Sequence, residues 1–240
     1  MTLTLSTLRN LLPCALLFLA ACAQLPPDQA HYPVGRGQII LPPGDWQDLG
    51  TTEQALPLLP QAEGRIPLQS RAVALRGPQK QLLAVLRVQT NRSAFDWAGH
   101  ISWPAHCPQQ QGMLVEDAAE GSRVRMDCLR YKRRADDRQW LTQHQPELAQ
   151  WMASRQLAIS TPFSYMSYHY TTADGAMVAV DALVDQRLLL PRTSGTEAFL
   201  HAGRPALFWG RDLAQAARVS VGMMDGTLQL PPFPYSVPTP

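Results

Sequence analysis

Residues 162–184 read PFSYMSYHYTTADGAMVAVDALV, and they hold the strongest strand pattern in the chain. Two runs rich in aromatic and β-branched residues, 162–170 and 176–184, flank the turn-forming pair Asp174-Gly175. Both faces of the resulting hairpin are largely apolar, which is typical of strands covered on both sides. The pattern therefore predicts an antiparallel hairpin at the centre of a sheet.

The turn also predicts a register. If Asp174 and Gly175 form the tip, paired residues sum to 349, which places Tyr168 opposite Asp181. Asp181 stands out because a carboxylate in an apolar strand is costly to bury without partners. It is a candidate acid or base in a pocket with Tyr168 and Tyr170 as hydrogen-bonding neighbours. The alternative is a structural carboxylate that Tyr168 or an arginine satisfies, or one on a solvated face.

Strands and helices alternate in the rest of the chain. The expected elements are a strand at 37–41, a loop at 51–64, a hairpin of 70–76 and 81–90, a hairpin of 113–116 and 123–131, a helical region that opens at 136 and is interrupted at Pro146, a helix at 205–219 and a strand at 227–230. This order predicts an α+β fold, in which two or three helices pack on a mainly antiparallel sheet. No linker-like composition interrupts residues 35–230, which favours a single globular domain.

Residues 39–46, IILPPGDW, resemble the strand–Pro–Gly–Trp opening of the PsbP and Mog1 proteins. The resemblance covers eight residues, and it implies an α/β/α sandwich as the alternative fold.

Residues 1–21 have the pattern of a targeting segment. One basic residue, Arg9, precedes an apolar run at 11–21, which is shorter than the roughly 20 residues that a membrane-spanning helix needs. The segment ends in Leu-Ala-Ala followed by Cys22, which resembles the lipobox of bacterial lipoproteins. This resemblance implies a cleaved signal peptide and a diacylated Cys22 that anchors the protein to a membrane. The alternative is an ordinary secretory signal with a chance cysteine.

The residue after the lipobox cysteine bears on sorting. Ala23 is not the aspartate that commonly retains such lipoproteins in the inner membrane, so the resemblance implies an outer-membrane protein that faces the periplasm. The polar, proline-bearing residues 22–34 are expected to form a flexible tether. Residues 231–240 form a proline-rich tail, whose first part we expect to pack through Phe233 and Tyr235.

The remaining cysteines fit an exported protein. Cys14 lies within the signal, so Cys107 and Cys128 are an even pair in an oxidising compartment, and we predict a disulfide between them. Such a bond closes a loop of about 20 residues and stabilises the fold by roughly 3 kcal/mol. A catalytic thiol beside His106 is one alternative. A zinc site is another, built from His100, His106, Cys107 and Cys128.

Composition and missing motifs limit the function. The chain has 21 Lys and Arg against 19 Asp and Glu, so no nucleic-acid partner is expected. It holds no nucleophile-elbow, Walker or His-Glu-x-x-His motif, and we expect no cofactor and no metal site. These features favour a non-enzymatic lipoprotein that binds an envelope protein or ligand. The alternatives are a lipid-anchored periplasmic hydrolase with Asp181 and a histidine such as His169 near its site, and an apolar-ligand or lipid carrier with a cavity between sheet and helices.

Overall fold

The structure is a computed structural model. It describes residues 30–57, 65–92, 103, 107–135, 137–160, 162–191, 195–201, 204–222 and 226–237. The predicted signal segment and Cys22 lie outside the described residues.

Ten strands and five helices make up the described part of the chain. The strands are β1 (His31–Val34), β2 (Gly37–Ile40), β3 (Asp45–Pro57), β4 (Arg65–Arg76), β5 (Leu82–Asn91), β6 (Leu114–Asp117), β7 (Met126–Lys132), β8 (Phe163–Thr171), β9 (Met177–Asp185) and β10 (Thr227–Gln229). The helices are α1 (Arg138–His144), α2 (Pro146–Ser154), α3 (Gln186–Leu189), α4 (Thr196–His201) and α5 (Pro205–Gly222).

Seven strands form one antiparallel sheet in the order β3-β4-β5-β9-β8-β7-β6. The β8–β9 hairpin is central in this sheet, as the sequence predicts. The other three strands form a small sheet in the order β1-β2-β10, in which β10 runs parallel to β2. The α+β fold with a mainly antiparallel sheet is therefore confirmed.

Two hydrophobic layers cover the large sheet, one on each face. Consecutive strand residues point to opposite faces, so Tyr165 and Met166 belong to different layers. Tyr165 packs with Leu141 and Met152 of α1 and α2. Met166 packs with residues of α5, such as Leu213, and the small sheet lies on this same side. Helices therefore flank the sheet on both faces, which is also the layering of the alternative sandwich fold.

The break between α1 and α2 follows from local chemistry. Asp137 caps α1, because its carboxylate accepts a hydrogen bond from the Gln139 N–H at 2.8 Å. Pro146 has no N–H to donate, so it is accommodated in the first turn of α2. The predicted interruption at Pro146 is confirmed.

Strand β3 corrects the prediction of a loop over 51–64. The strand runs from Asp45 to Pro57 and pairs along its whole length with β4. The prediction was wrong for 51–57 because an edge strand with solvated faces does not need the apolar alternation that identifies a half-buried strand. Residues 58–64 lie outside the described residues.

Both ends of the described chain pack on the domain. Strand β1 pairs with β2 from His31 to Val34. The prediction of a flexible tether over 22–34 is therefore wrong for 31–34. In the tail, the Phe233 ring stacks on Trp209 at a centroid distance of 5.1 Å and on Trp46 at 6.5 Å. The Tyr235 N–H donates to the Leu188 carbonyl at 3.1 Å. The first part of the tail is therefore part of the folded body.

Candidate functional site

The register of the β8–β9 hairpin decides which side chains meet. Paired residues sum to 348, as in Ser167 opposite Asp181, so the predicted register is wrong by one residue. The loop holds three residues, 173–175, and Gly175 at φ +92° is the last of them. Because a slip of one residue moves a side chain to the other face, Asp181 shares its face with Ser167 and not with Tyr168.

Asp181 is the centre of a buried polar cluster on the face covered by α1 and α2. Its side chain is 3% exposed. The Tyr165 hydroxyl donates to Oδ1 at 2.6 Å, and the Arg87 guanidinium donates to Oδ2 at 3.1 Å. His169 Nε2 lies 3.8 Å from Oδ1, which is an ion-pair distance and too long for a hydrogen bond. We call Asp181, Tyr165, Arg87 and His169 the Asp181 cluster.

Polar side chains extend from the Asp181 cluster towards the β3 edge. Arg87 forms an ion pair with Glu147 at the start of α2 and donates to the Ser70 hydroxyl at 3.3 Å. The Gln89 amide donates to Ser70 at 3.0 Å and to Gln54 on β3 at 3.1 Å. Five neighbouring strands of the sheet, β3, β4, β5, β9 and β8, therefore contribute to one polar band.

The cluster holds its carboxylate ionised. Burial by itself raises the pKa of Asp181. His169, Arg87 and the Tyr165 hydroxyl together lower this pKa by more than burial raises it, so that it lies well below its ordinary value. Burial and the Asp181 charge raise the pKa of Tyr165 well above its ordinary value, so its hydroxyl stays a hydrogen-bond donor. His169 is the cluster member with access to solvent, since its side chain is 31% exposed.

A second buried carboxylate lies on the opposite face. The Tyr168 hydroxyl donates to Asp127 at 2.9 Å, and Arg218 of α5 donates to the same carboxylate at 2.9 and 3.0 Å. Tyr170 stacks on Tyr168 with the ring centroids 6.5 Å apart. Tyr168 therefore binds Asp127 and Tyr170 packs on Tyr168, and the predicted pocket of Asp181 with these two tyrosines does not form. The alternative interpretation of Asp181, a carboxylate satisfied by Tyr168 or an arginine, is right about the arginine, which is Arg87, whereas the tyrosine that binds Asp181 is Tyr165.

Asp127 was not among the predicted site residues. The signal that identified Asp181, a carboxylate within a predicted strand, was present here too. Asp127 lies between Met126 and Cys128 in a strand of mostly apolar residues. Its arginine partner could not be inferred, because Arg218 lies 91 residues further along the chain.

Cys107 and Cys128 form the predicted disulfide, with their Cα atoms 5.5 Å apart. Both sulfurs are therefore bonded to each other in this structure, and neither is the free thiolate that the catalytic-thiol and zinc alternatives require. His100 and His106 lie outside the described residues. Cys128 is also the direct cross-strand partner of His169, so the disulfide borders the Asp181 cluster.

Two open cavities lie near these elements. A groove of about 460 Å³ lies between α1, α2 and residues 156–159. It differs in position from the cavity between sheet and helices that the carrier hypothesis predicts, because its lining comes from the helices and the following segment. A cleft of about 360 Å³ borders the disulfide and is lined in part by Cys107 and Asp117.

The outer edge of β3 exposes main-chain hydrogen-bonding groups. The Pro67 carbonyl accepts from the Arg92 N–H on the β5 side, so Pro67 and its partner Ala55 are a non-hydrogen-bonded pair. The N–H and C=O groups of Ala55 therefore point away from the sheet, and by alternation so do those of Thr51 and Glu53. No described residue hydrogen-bonds to these main-chain groups.

The first half of the same edge is protected. The Tyr32 hydroxyl donates to the Trp46 carbonyl at 3.4 Å, and the Arg155 guanidinium donates to the Leu49 carbonyl at 2.7 Å. A bulge between Asp48 and Gly50 also disturbs the ladder there. The open part of the edge is therefore 51–57.

The fold and these sites define a three-layer α+β domain with one disulfide and a buried carboxylate on each face of its sheet. Comparison with protein-family models, curated protein sequences and solved structures finds no match. Within the described residues, no helix combines the length and apolar character that a membrane crossing requires. No three His, Cys, Asp or Glu residues of the same part of the chain are grouped so that they could hold a metal ion.

Proposed function

We propose that this protein is a lipid-anchored component of the bacterial outer membrane, and that its periplasmic domain binds an extended segment of another envelope protein along β3. The lipobox-like sequence ending at Cys22 supports the anchor. The Cys107–Cys128 disulfide supports an oxidising compartment. The open edge at 51–57 is the observation that carries the binding role.

A polypeptide is the ligand that this edge fits best. An extended segment can pair its own main chain with the N–H and C=O groups of Thr51, Glu53 and Ala55, and thereby extend the antiparallel sheet by one strand. Long unpaired edges of this kind are usually blocked, because they pair with other chains. Here Tyr32, Arg155 and the bulge block only the first half, and within the described residues the outward main-chain groups of the second half have no partner.

The anchor predicts a specific labelling result. Cells that express the full chain with radiolabelled palmitate should incorporate label into the protein, and Cys22→Ser should abolish that label because no other residue supplies the lipidated thiol. Cys14→Ser is the matched control, since this cysteine lies within the signal, and it should label as strongly as the wild type. Unlabelled wild-type protein, or label that persists in Cys22→Ser, would contradict the anchor.

Binding along β3 predicts that the main-chain N–H of Ala55 contributes more to partner binding than the Ala55 side chain does. Ala55→Pro removes an N–H that points outwards and does not contribute to the β4 ladder, so the fold should persist while cross-linking to a partner in intact envelopes falls by at least about tenfold. Ala55→Ser keeps the N–H and should cross-link like the wild type. Equal adduct yields for Ala55→Pro and the wild type would rule out strand addition here.

The lipid-anchored hydrolase is the second candidate, and the contact between His169 and Asp181 favours it. An imidazole that is 31% exposed and is backed by an ionised carboxylate is suited to general acid–base catalysis. This function predicts ester or amide hydrolysis that is lost in His169→Asn and retained in Ala55→Pro. Strand binding predicts instead that cross-linking is lost in Ala55→Pro and retained in His169→Asn.

A further inference from the structure

The disulfide borders the His169–Asp181 pair. Cys128 and His169 are direct partners in the β7–β8 register, so their Cβ atoms are about 4.5–5.5 Å apart on one face of the sheet. His169 Nε2 lies 3.8 Å from Asp181 Oδ1. The adjacent strands β9, β8 and β7 therefore place Asp181, His169 and Cys128 next to one another, in that order, on one face of the sheet.

The two cysteines differ in their exposure to solvent. Cys128 is 2% exposed, whereas Cys107 is half-buried and lines the cleft of about 360 Å³. A thiol that enters the cleft therefore meets the Cys107 sulfur first. Attack there breaks the bond to Cys128, which makes the Cys128 sulfur the leaving group.

We propose that the Cys107–Cys128 disulfide is a thiol–disulfide exchange site for a dithiol reductant, with His169 as the proton donor to the departing Cys128 sulfur and Asp181 as the residue that positions the imidazole. This proposal does not depend on the lipid anchor or on strand binding at β3.

The reaction balances with the dithiol alone. One thiolate of the reductant attacks the Cys107 sulfur, a mixed disulfide forms, and Cys128 departs as a thiolate. The His169 imidazolium gives its proton to that thiolate. The second thiol of the reductant then attacks the mixed disulfide and releases Cys107, so the dithiol becomes a disulfide and both protein cysteines become thiols.

The charges around the sulfurs explain why a proton donor matters. Asp117 is the partner of Cys128 on β6, and its carboxylate disfavours a thiolate there. Glu120 and Arg125 line the cleft with opposite charges. Arg130 lies two residues along β7, where its guanidinium donates to Ser167, and Arg87 is paired with Asp181. The imidazolium of His169 is the group placed to neutralise the departing sulfur.

The test is the pH dependence of reduction by dithiothreitol. The oxidised full chain is reduced under native conditions, trapped by alkylation, and the Cys107 and Cys128 peptides are quantified by mass spectrometry. After correction for the thiolate fraction of dithiothreitol, the wild-type rate constant should fall by at least about tenfold between about pH 5.5 and about pH 8, as expected for a step that needs a proton donor. The His169→Asn rate constant should stay flat and lie about tenfold below the wild type at about pH 6.

The controls separate proton donation from unfolding. His144→Asn changes an exposed histidine of α1 that stacks on Trp140, and it should keep the wild-type profile. Asp181→Asn, which leaves His169 unpositioned, should weaken the low-pH advantage. If His169→Asn does not fold, the wild-type profile decides alone. A flat corrected profile in the wild type, or a rate that does not depend on the dithiothreitol concentration, would overturn the proposal.

Discussion

Asp181→Ala should lower the free energy of unfolding by about 3 kcal/mol, the low end for breaking a buried ion pair, because Arg87 keeps its contacts to Glu147 and Ser70. Arg87 and the Tyr165 hydroxyl would both lose the buried acceptor that Asp181 provides. Urea unfolding followed by circular dichroism measures the difference. The size of the effect follows from burial, since the Asp181 side chain is almost completely removed from solvent.

Asp48→Ala is the matched control. Asp48 also binds an arginine, Arg71, but its side chain is 40% exposed, so its loss should cost less than about 1 kcal/mol. A destabilisation of Asp181→Ala as small as that of Asp48→Ala would show that Arg87 and Tyr165 find other partners.

The same cluster makes stability depend on pH in a defined direction. The pKa of Asp181 is lowered in the folded state, so its contribution is fully present above the unfolded value of about 4 and is lost as pH falls below it. The difference in unfolding free energy between the wild type and Asp181→Asn should therefore shrink between about pH 5 and about pH 2. A difference that stays constant across this range would contradict the depressed pKa.

Removing the disulfide should produce the second large effect. Cys107→Ser combined with Cys128→Ala should lower the unfolding free energy by about 3 kcal/mol, since a short closed loop no longer restricts the unfolded chain. Alanine suits position 128, because that side chain is buried, and serine suits the half-buried position 107. The measurement is the shift of the urea midpoint at constant slope.

Reduction of the wild type provides the control for this variant. Wild-type protein kept reduced should unfold at the midpoint of the double variant, because both lack the same cross-link. Identical midpoints for the oxidised wild type and the double variant would show that the loop is already constrained by its other contacts.

Local sequence patterns predicted most elements of the fold, because hydrophobic period, caps and turn residues act over a few positions. The Pro146 break between α1 and α2, the central place of the β8–β9 hairpin and the β10 strand were all anticipated on this basis. The loop expected at 51–64 was wrong for 51–57, since main-chain pairing with β4 and not side-chain pattern makes β3 a strand.

The candidate site was predicted less well, because the contacts of Asp181 depend on the number of residues in the turn between β8 and β9. Asp174 and Gly175 mark the turn, but a three-residue loop changes the parity of the pairing and moves Asp181 away from Tyr168. Sequence reasoning identified the right carboxylate and assigned it the wrong tyrosines. Tyr165 replaces them, because it lies on the face that Asp181 shares.

By itself the sequence determined the class of fold, the pairing of Cys107 with Cys128 and the identity of Asp181 as a carboxylate that needs partners, because each of these follows from local pattern or from counting. Only the tertiary structure decided that Arg87 and His169 surround Asp181, and that no described residue pairs with the outward main-chain groups of Thr51, Glu53 and Ala55. These arrangements depend on strand register and on the order of strands in the sheet, which bring together residues far apart in the chain and which no local pattern encodes.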